Sequence, residues 1–236
     1  YGDHRDLHSF PTRRSSDLIL VGAPTSLSHL SIRRIGASDL MDALRKGWDD
    51  FSSMPSHALF LCVMYPIIGA GLAGLTLGYA VVPLFYPIAA GFALIGPVAA
   101  IGLYELSRRR EAGADVSATD ALNVLHSPSI GAIVALGFLL MLLFLVWVGT
   151  AHAIYVANFG YATPASTTQF LSDVLTTPAG WKLIVIGNGV GFLFAVAALV
   201  VSVVSFPLLL DRDVGAAVAL ATSARAVLAN PAVMAL

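Results

Sequence analysis

Asn188 lies inside a long apolar stretch, in Gly187-Asn-Gly-Val-Gly191, and is the residue best suited by type and place to do chemistry. A carboxamide among glycines can hydrogen-bond a substrate, or bond across the close helix contact that small residues permit. Pro97 and Pro207 also fall in apolar stretches, as do Pro66, Pro83 and Pro87. A missing N–H there frees a carbonyl and can kink a helix. Transporters build binding sites from such broken helices, so Asn188, Pro97 and Pro207 mark a candidate path. Glu105, Arg110, Asp211 and Arg212 form a second candidate, a charged cluster where two apolar stretches end. Leu106-Ser-Arg-Arg-Arg-Glu-Ala-Gly113 parallels Leu209-Leu-Asp-Arg-Asp-Val-Gly215, each closing on Arg-acid-x-Gly. These residues either complement a helix C-terminus, with the glycine as its cap, or grip a partner or headgroup.

Other chemistry is excluded residue by residue. His57 and His152 belong at opposite depths and cannot share a haem, and His126 lies outside the apolar stretches. No H-E-x-x-H, G-x-S-x-G or Walker-type loop occurs. Gly69-Ala-Gly71-Leu-Ala-Gly74 has dinucleotide spacing, but no strand precedes it, so packing explains it. Cys62 is a lone cysteine within an apolar stretch, a small packing residue without a disulfide framework. No Asp, Glu, Lys or Arg sits mid-stretch, which removes the usual mark of an ion path. The chain is therefore expected to be no enzyme and to hold no cofactor or metal.

The elements that must position these residues are membrane helices. The 236 residues are 57% hydrophobic and 11% charged, and the mean hydropathy is +0.82. Apolar stretches at 57–78, 81–106, 129–156 and 181–210 are each long enough for a hydrocarbon core of ~30 Å at ~1.5 Å per residue. Tyr1–Leu18, YGDHRDLHSFPTRRSSDL, matches one reading frame of a common short-read sequencing adapter residue for residue. It is read as non-native, which sets aside His4, His8, Arg13 and Arg14. Residues 19–37 are then an N-terminal cytoplasmic segment. Residues 38–236 form a single transmembrane helical domain, expected to be C-terminally truncated because an apolar segment opens at Pro231.

Charge placement predicts orientation. Arg33, Arg34, Arg45 and Lys46 precede the first stretch, Arg108 to Arg110 follow the second, and Arg212 and Arg225 follow the fourth. Only Lys182 lies on the other side. Under the positive-inside rule the N-terminus and the 107–128 and 211–230 connections are cytoplasmic, and the 79–80 turn and the 157–180 loop are external. The basic residues are too dispersed for a nucleic-acid surface.

The three cytoplasmic connections resemble one another: 38–55, 117–128 and 221–231 each read as a short amphipathic helix followed by a proline. Counted back from the proline, Phe51, Val124 and Val227 share one position, and Trp48, Ala121 and Ala224 another. Leu40, Leu44, Trp48 and Phe51 make one stripe at helical spacing, with Ser38 as N-cap. Such helices should lie in the cytoplasmic interface, apolar face down, and each proline suits the first turn of the next span. The expected fold is all-α and polytopic: repeated units of interfacial amphipathic helix plus transmembrane hairpin. Four spans are complete, a fifth is truncated and six are expected in the intact protein.

Several motifs together carry a family resemblance. They are Asp39-Leu, Ala43-Leu, Asp49-Asp-Phe51, Pro55-Ser-His-Ala-Leu-Phe60, Gly91-Phe-Ala-Leu-Ile-Gly-Pro97, Gly102-Leu-Tyr-Glu-Leu-Ser-Arg-Arg109, Ser127-Pro128 and Ser205-Phe-Pro-Leu-Leu-Leu-Asp-Arg-Asp213. Over about residues 32–236 the chain resembles a bacterial integral-membrane family known as domain of unknown function 2189. The resemblance implies a six-span, multi-pass protein of the inner membrane and no particular activity.

Two functional readings are open. The first is a non-enzymatic scaffold, assembly or envelope-maintenance factor acting through cytoplasmic helices and helix–helix surfaces. The second is a permease or lipid-handling transporter with a path near Asn188. Expected partners are the lipid bilayer, and a membrane-protein partner or a second copy of the chain. A cavity beside Asn188 would favour the second reading, and a tightly packed bundle the first.

Overall fold

The computed structural model describes residues 32–53, 82–93, 96–114, 117–162 and 164–235, and every regular element among them is a helix. The expected span at 57–78, with His57, Cys62, Pro66 and the 69–74 glycines, lies outside the described residues.

α1 (Ala37–Ser53) carries the Leu40–Phe51 stripe and buries none of its residues. Ser38 falls inside its first turn and does not cap it. Asp39, third in the helix, instead reaches back to the residue before the helix, accepting from the Gly36 N–H at 2.8 Å.

Over 81–106, where the hydropathy predicts one span, the described residues form separate helices: α2 (Val82–Phe92), α3 (Gly96–Ala99) and α4 (Ile101–Glu111). Proline placement accounts for part of this. Pro83 and Pro97 sit second in α2 and α3, where an N–H has no helical partner to miss, while Pro87 lies inside α2. α4 ends in a Schellman turn. Gly113 takes φ +75°, and the N–H groups of Gly113 and Ala114 donate to Arg110 and Arg109 carbonyls at 2.9 and 3.1 Å.

The second connection is a 3₁₀ helix (Ala118–His126) rather than an amphipathic α-helix. The Ser117 N–H donates to Asp120 Oδ2 at 2.8 Å at its start. Ala121 lies against Gly102 of α4, so a side chain at 102 would meet it. Pro128 precedes the next helix and stands outside its first turn.

α5 (Ile130–Phe159) is one uninterrupted helix of 30 residues. After it, α6 (Thr167–Thr176) occupies the expected external loop, capped by Ser166, whose Oγ accepts from the Gln169 N–H at 3.1 Å. Thr177 then caps α7 (Pro178–Ser202), accepting from the Gly180 N–H at 3.0 Å. A Cβ on Gly180 would fall 2.2 Å from the Val174 carbonyl oxygen, so only glycine lets α6 fold back on α7.

The fourth apolar stretch breaks between α7 and α8 (Ser205–Asp211). Pro207 cannot donate to the Val203 carbonyl four residues back, which ends the ladder there. The N–H of Val204 turns to Ser223 Oγ at 3.2 Å instead. Ser223 belongs to α9 (Ala216–Ala229), which buries Ala219, Thr222, Ser223 and Ala226. α10 (Pro231–Met234) follows, with Pro231 in its first turn. Gly215, at φ +77°, is the N-cap of α9 and not a cap for α8. The three connections therefore adopt three structures: an exposed α-helix, a 3₁₀ helix and a packed α-helix.

Two stretches among the described residues are long and apolar enough to cross a membrane, Ile130–Phe159 and Pro178–Asp211. α5 packs along α7, with α2 against α5 and α9 against both α7 and α8. The core gathers at the end where α4 stops and α5 starts. Leu140, Phe206, Leu209 and Ala219 there are essentially inaccessible, joined by Ile101, Val124, Ile133, Leu136 and Ala198. Close packing of this kind leaves no room for a guest.

Candidate functional site

The other half of the bundle is open. A cleft of about 940 Å³ lies between α2, α5, α6 and α7, at the large end of the range for small-molecule sites. Its walls include Phe85, Ile154, Phe170, Leu171 and Leu183, and Asn188 and Tyr86 also face it.

Trp147 of α5 lines the cleft and holds three helices together. Its indole N–H donates to the Pro87 carbonyl at 2.8 Å, and its ring tilts against Phe194 with centroids 5.4 Å apart. Two glycines admit the ring. A Cβ at Gly91 of α2 would lie 2.6 Å from it, and one at Gly191 of α7 would lie 2.9 Å away. At the cleft's far end Tyr155, Phe159 and Phe170 cluster with centroids 5.5–6.1 Å apart, and the Tyr155 hydroxyl donates to the Ala162 carbonyl at 3.1 Å.

Two polar side chains of the cleft, Tyr86 and Asn188, bond each other. The Tyr86 hydroxyl donates to Asn188 Oδ1 at 2.9 Å, and Asn188 Nδ2 donates to the Ile184 carbonyl at 2.7 Å. These bonds use one of the two N–H groups and one of the two lone pairs of the Asn188 carboxamide, leaving one donor and one acceptor site for a polar group of a guest. The chemistry offered is therefore that of a hydrocarbon site with a small polar rim.

The arginine-rich end holds a smaller polar cleft of about 430 Å³. Glu105, only 3% exposed, is its centre. Arg108 approaches the carboxylate with two N–H groups at 2.9 Å, and Arg109 with one at 2.7 Å. Arg109 continues to Asp120 at 3.3 Å, which also accepts from Asn123 at 2.9 Å. Hydrogen bonding to Glu105 raises the Arg108 pKa further above its high ordinary value, so the guanidinium stays charged. Across the cleft the Ser129 hydroxyl donates to Asp213 at 3.2 Å. The first set of bonds ties α4 to the 3₁₀ helix, and the Ser129 bond ties the start of α5 to the segment after α8. The cleft's lining cations and anions offset each other, which suits a closure better than an anion site.

The family model for DUF2189, described as a predicted integral membrane protein, matches residues 85–211, more than half of the chain. The chain belongs to this family. No curated protein and no solved structure matches it. The DUF2189 match runs from α2 to α8 and so takes in nearly all of both clefts, while α1 and α9 lie outside it.

Within this DUF2189 chain the proposed path residues are not brought together. Asn188 lies on the apolar cleft, but Pro97 and Pro207 do not, and Pro83 and Pro87 line it instead. Nineteen residues of nearly continuous helix put Pro207 roughly 28 Å from Asn188. Of the charged candidates, Glu105, Asp211 and Arg212 line the polar cleft. Asp211 and Arg212 pair with each other at 3.1 Å, exposed on its rim. Arg110 instead pairs with Asp50 of α1. Sequence reasoning missed Trp147, Tyr86, Arg108 and Arg109. Trp147 had one signal available, a tryptophan deep inside an apolar stretch, where its N–H needs a partner. Among the described residues no group of three or more His, Cys, Asp or Glu is placed to hold a metal.

Proposed function

We propose that the protein is a non-enzymatic lipid-handling protein of the bacterial inner membrane, multi-pass with its N-terminus cytoplasmic. It takes the hydrocarbon part of a lipid into the cleft beside Asn188. One observation carries this reading: a cleft of about 940 Å³ with apolar walls, whose polar residues Tyr86 and Asn188 are bonded to each other. Apolar walls accept acyl methylenes, each worth about 0.8 kcal/mol when taken from water. Transfer from the bilayer gains less, so shape selects the guest.

The scaffold reading retains one observation. Gly149 and Gly189, on exposed faces of α5 and α7, have nothing near the position of a Cβ, leaving room for a second membrane helix to approach.

Gly187 provides the test, because it lines the cleft and a Cβ there meets nothing within 4 Å. Gly187→Phe should plug the cleft, while Gly189→Phe, off its lining, serves as control. The full chain is extracted in mild detergent and weighed by native mass spectrometry. A bound lipid in wild type and Gly189→Phe, lost in Gly187→Phe, supports the reading. Lipid retained equally by all three, or absent from all three, overturns it. A stoichiometric protein partner with no retained lipid favours the scaffold.

A further inference from the structure

α1 has the outline of a surface helix. Its polar face carries Asp39, Asp42, Arg45, Lys46, Asp49 and Asp50, and the opposite face carries Leu40, Met41, Leu44, Trp48 and Phe51. Met41, Leu44, Trp48 and Phe51 are all exposed, Trp48 by 68%, and the Trp48 and Phe51 rings stack 5.8 Å apart. This apolar face therefore touches little of the described bundle.

Both ends of α1 are nevertheless fastened to it. Just before the helix, Asn230 accepts from the Ile35 N–H at 2.8 Å and donates to the Arg33 carbonyl at 3.2 Å. Asn230 is itself buried at the end of α9 and donates to the Ala226 carbonyl at 3.1 Å. Near its C-terminus, Asp50 pairs with Arg110 at the end of α4. The two clamps stretch α1 between the ends of two bundle helices at the arginine-rich end. In the sequence the apolar stretch at 57–78 begins four residues after α1 stops, the spacing expected of a helix at a membrane boundary. Charge pairing selects the kind of surface. Asp39 is paired with Arg33, Asp42 with Arg45 and Asp50 with Arg110. Lys46 and Asp49 remain, one of each sign, so the polar face is nearly neutral.

We propose that α1 is an in-plane membrane helix, clamped by Asn230 and Arg110, whose Leu40–Leu44–Trp48–Phe51 face sits in the headgroup–acyl boundary of a lipid surface. The attachment is apolar and needs no anionic lipid. An amphipathic helix of this kind settles about 5–10 Å into the boundary. The inference is independent of what fills the cleft beside Asn188.

The test uses the purified full chain in phosphatidylcholine vesicles that contain no other protein. Nitroxide labels are placed singly at Leu44→Cys, Trp48→Cys, Arg45→Cys and Asp49→Cys in a Cys62→Ala background. Labels at 44 and 48 should collide several-fold more with oxygen than with an aqueous nickel chelate, and labels at 45 and 49 the reverse. Nickel accessibility on both faces would overturn the proposal, since α1 would then stand in water. Labels at 44 and 48 shielded from both reagents would overturn it in favour of a second copy of the chain. A measurement without substitutions guards against misfolded variants. Photoactivatable phosphatidylcholine should crosslink the wild-type chain at Leu44 and Trp48, and its failure to do so counts against the proposal.

Discussion

At the arginine-rich end, Phe206, Leu209 and Leu140 lose essentially all exposure, while around Asn188 the Phe85 and Tyr86 rings keep more than half of theirs. Apolar helices wall both regions, but the arginine-bearing α4 belongs to the first. What also differs is how polar groups cross between helices. Arg109 of α4 reaches Asp120 of the 3₁₀ helix, Ser223 takes up the N–H freed at the break between α7 and α8, and Ser129 reaches Asp213. Paired this way, polar groups can be buried and the helices drawn shut around them. Around the cleft the polar links are the Tyr86–Asn188 bond and the Trp147 indole, and the walls stay apart. Closure at one end leaves the other free to hold a guest.

The contrast breaks most visibly when matched residues are removed from each half. Phe206→Ala should lower the unfolding free energy by about 3–5 kcal/mol, whereas Phe85→Ala should cost under about 1 kcal/mol. Thermal unfolding of the purified protein in detergent measures both, and equal losses would mean the halves are packed alike. Next in size is Glu105→Ala, which takes the carboxylate from Arg108 and leaves Arg109 with Asp120 alone. Because Arg108 and Arg109 side chains remain 50% and 32% exposed, water can recover part of the loss. The cost should be about 2 kcal/mol, below the 3–5 kcal/mol of a fully buried pair. A larger loss in the same assay would mark the network as deeper than its exposure suggests. The smallest effect sharpens the rule about pairing. The Ser205 hydroxyl is fully buried without a hydrogen-bond partner, so Ser205→Ala should stay within about 0.5 kcal/mol or stabilise slightly. A clear loss would reveal a partner to that hydroxyl.

Long apolar runs made α5 and α7 legible, since 129–156 and 181–210 fall close to Ile130–Phe159 and Pro178–Asp211. Pro207 foretold an interruption, and the break between α7 and α8 lies just upstream of it. Pro97 marked the 81–106 stretch in the same way, and α3 opens one residue before it, but the number of helices there was not legible, because hydropathy does not register where a helix stops. Asn188 was found from its glycines, yet its partner Tyr86 is 102 residues away, and no local pattern encodes such a distance. Likewise, Arg-acid-x-Gly looked alike at 110–113 and 212–215. Gly113 closes α4 while Gly215 opens α9, because the residues after each glycine decide which helix it serves.

The dock of α2 on Trp147 also imposes an order in time. The Pro87 carbonyl and the indole that meets it are sixty residues apart, and translation at ~5–20 residues per second leaves an interval of about 3–12 s between them. During those seconds α2 has neither the ring that Gly91 admits nor the asparagine that receives Tyr86. The cleft is thus assembled late, by helices that must wait for their counterpart to be synthesised.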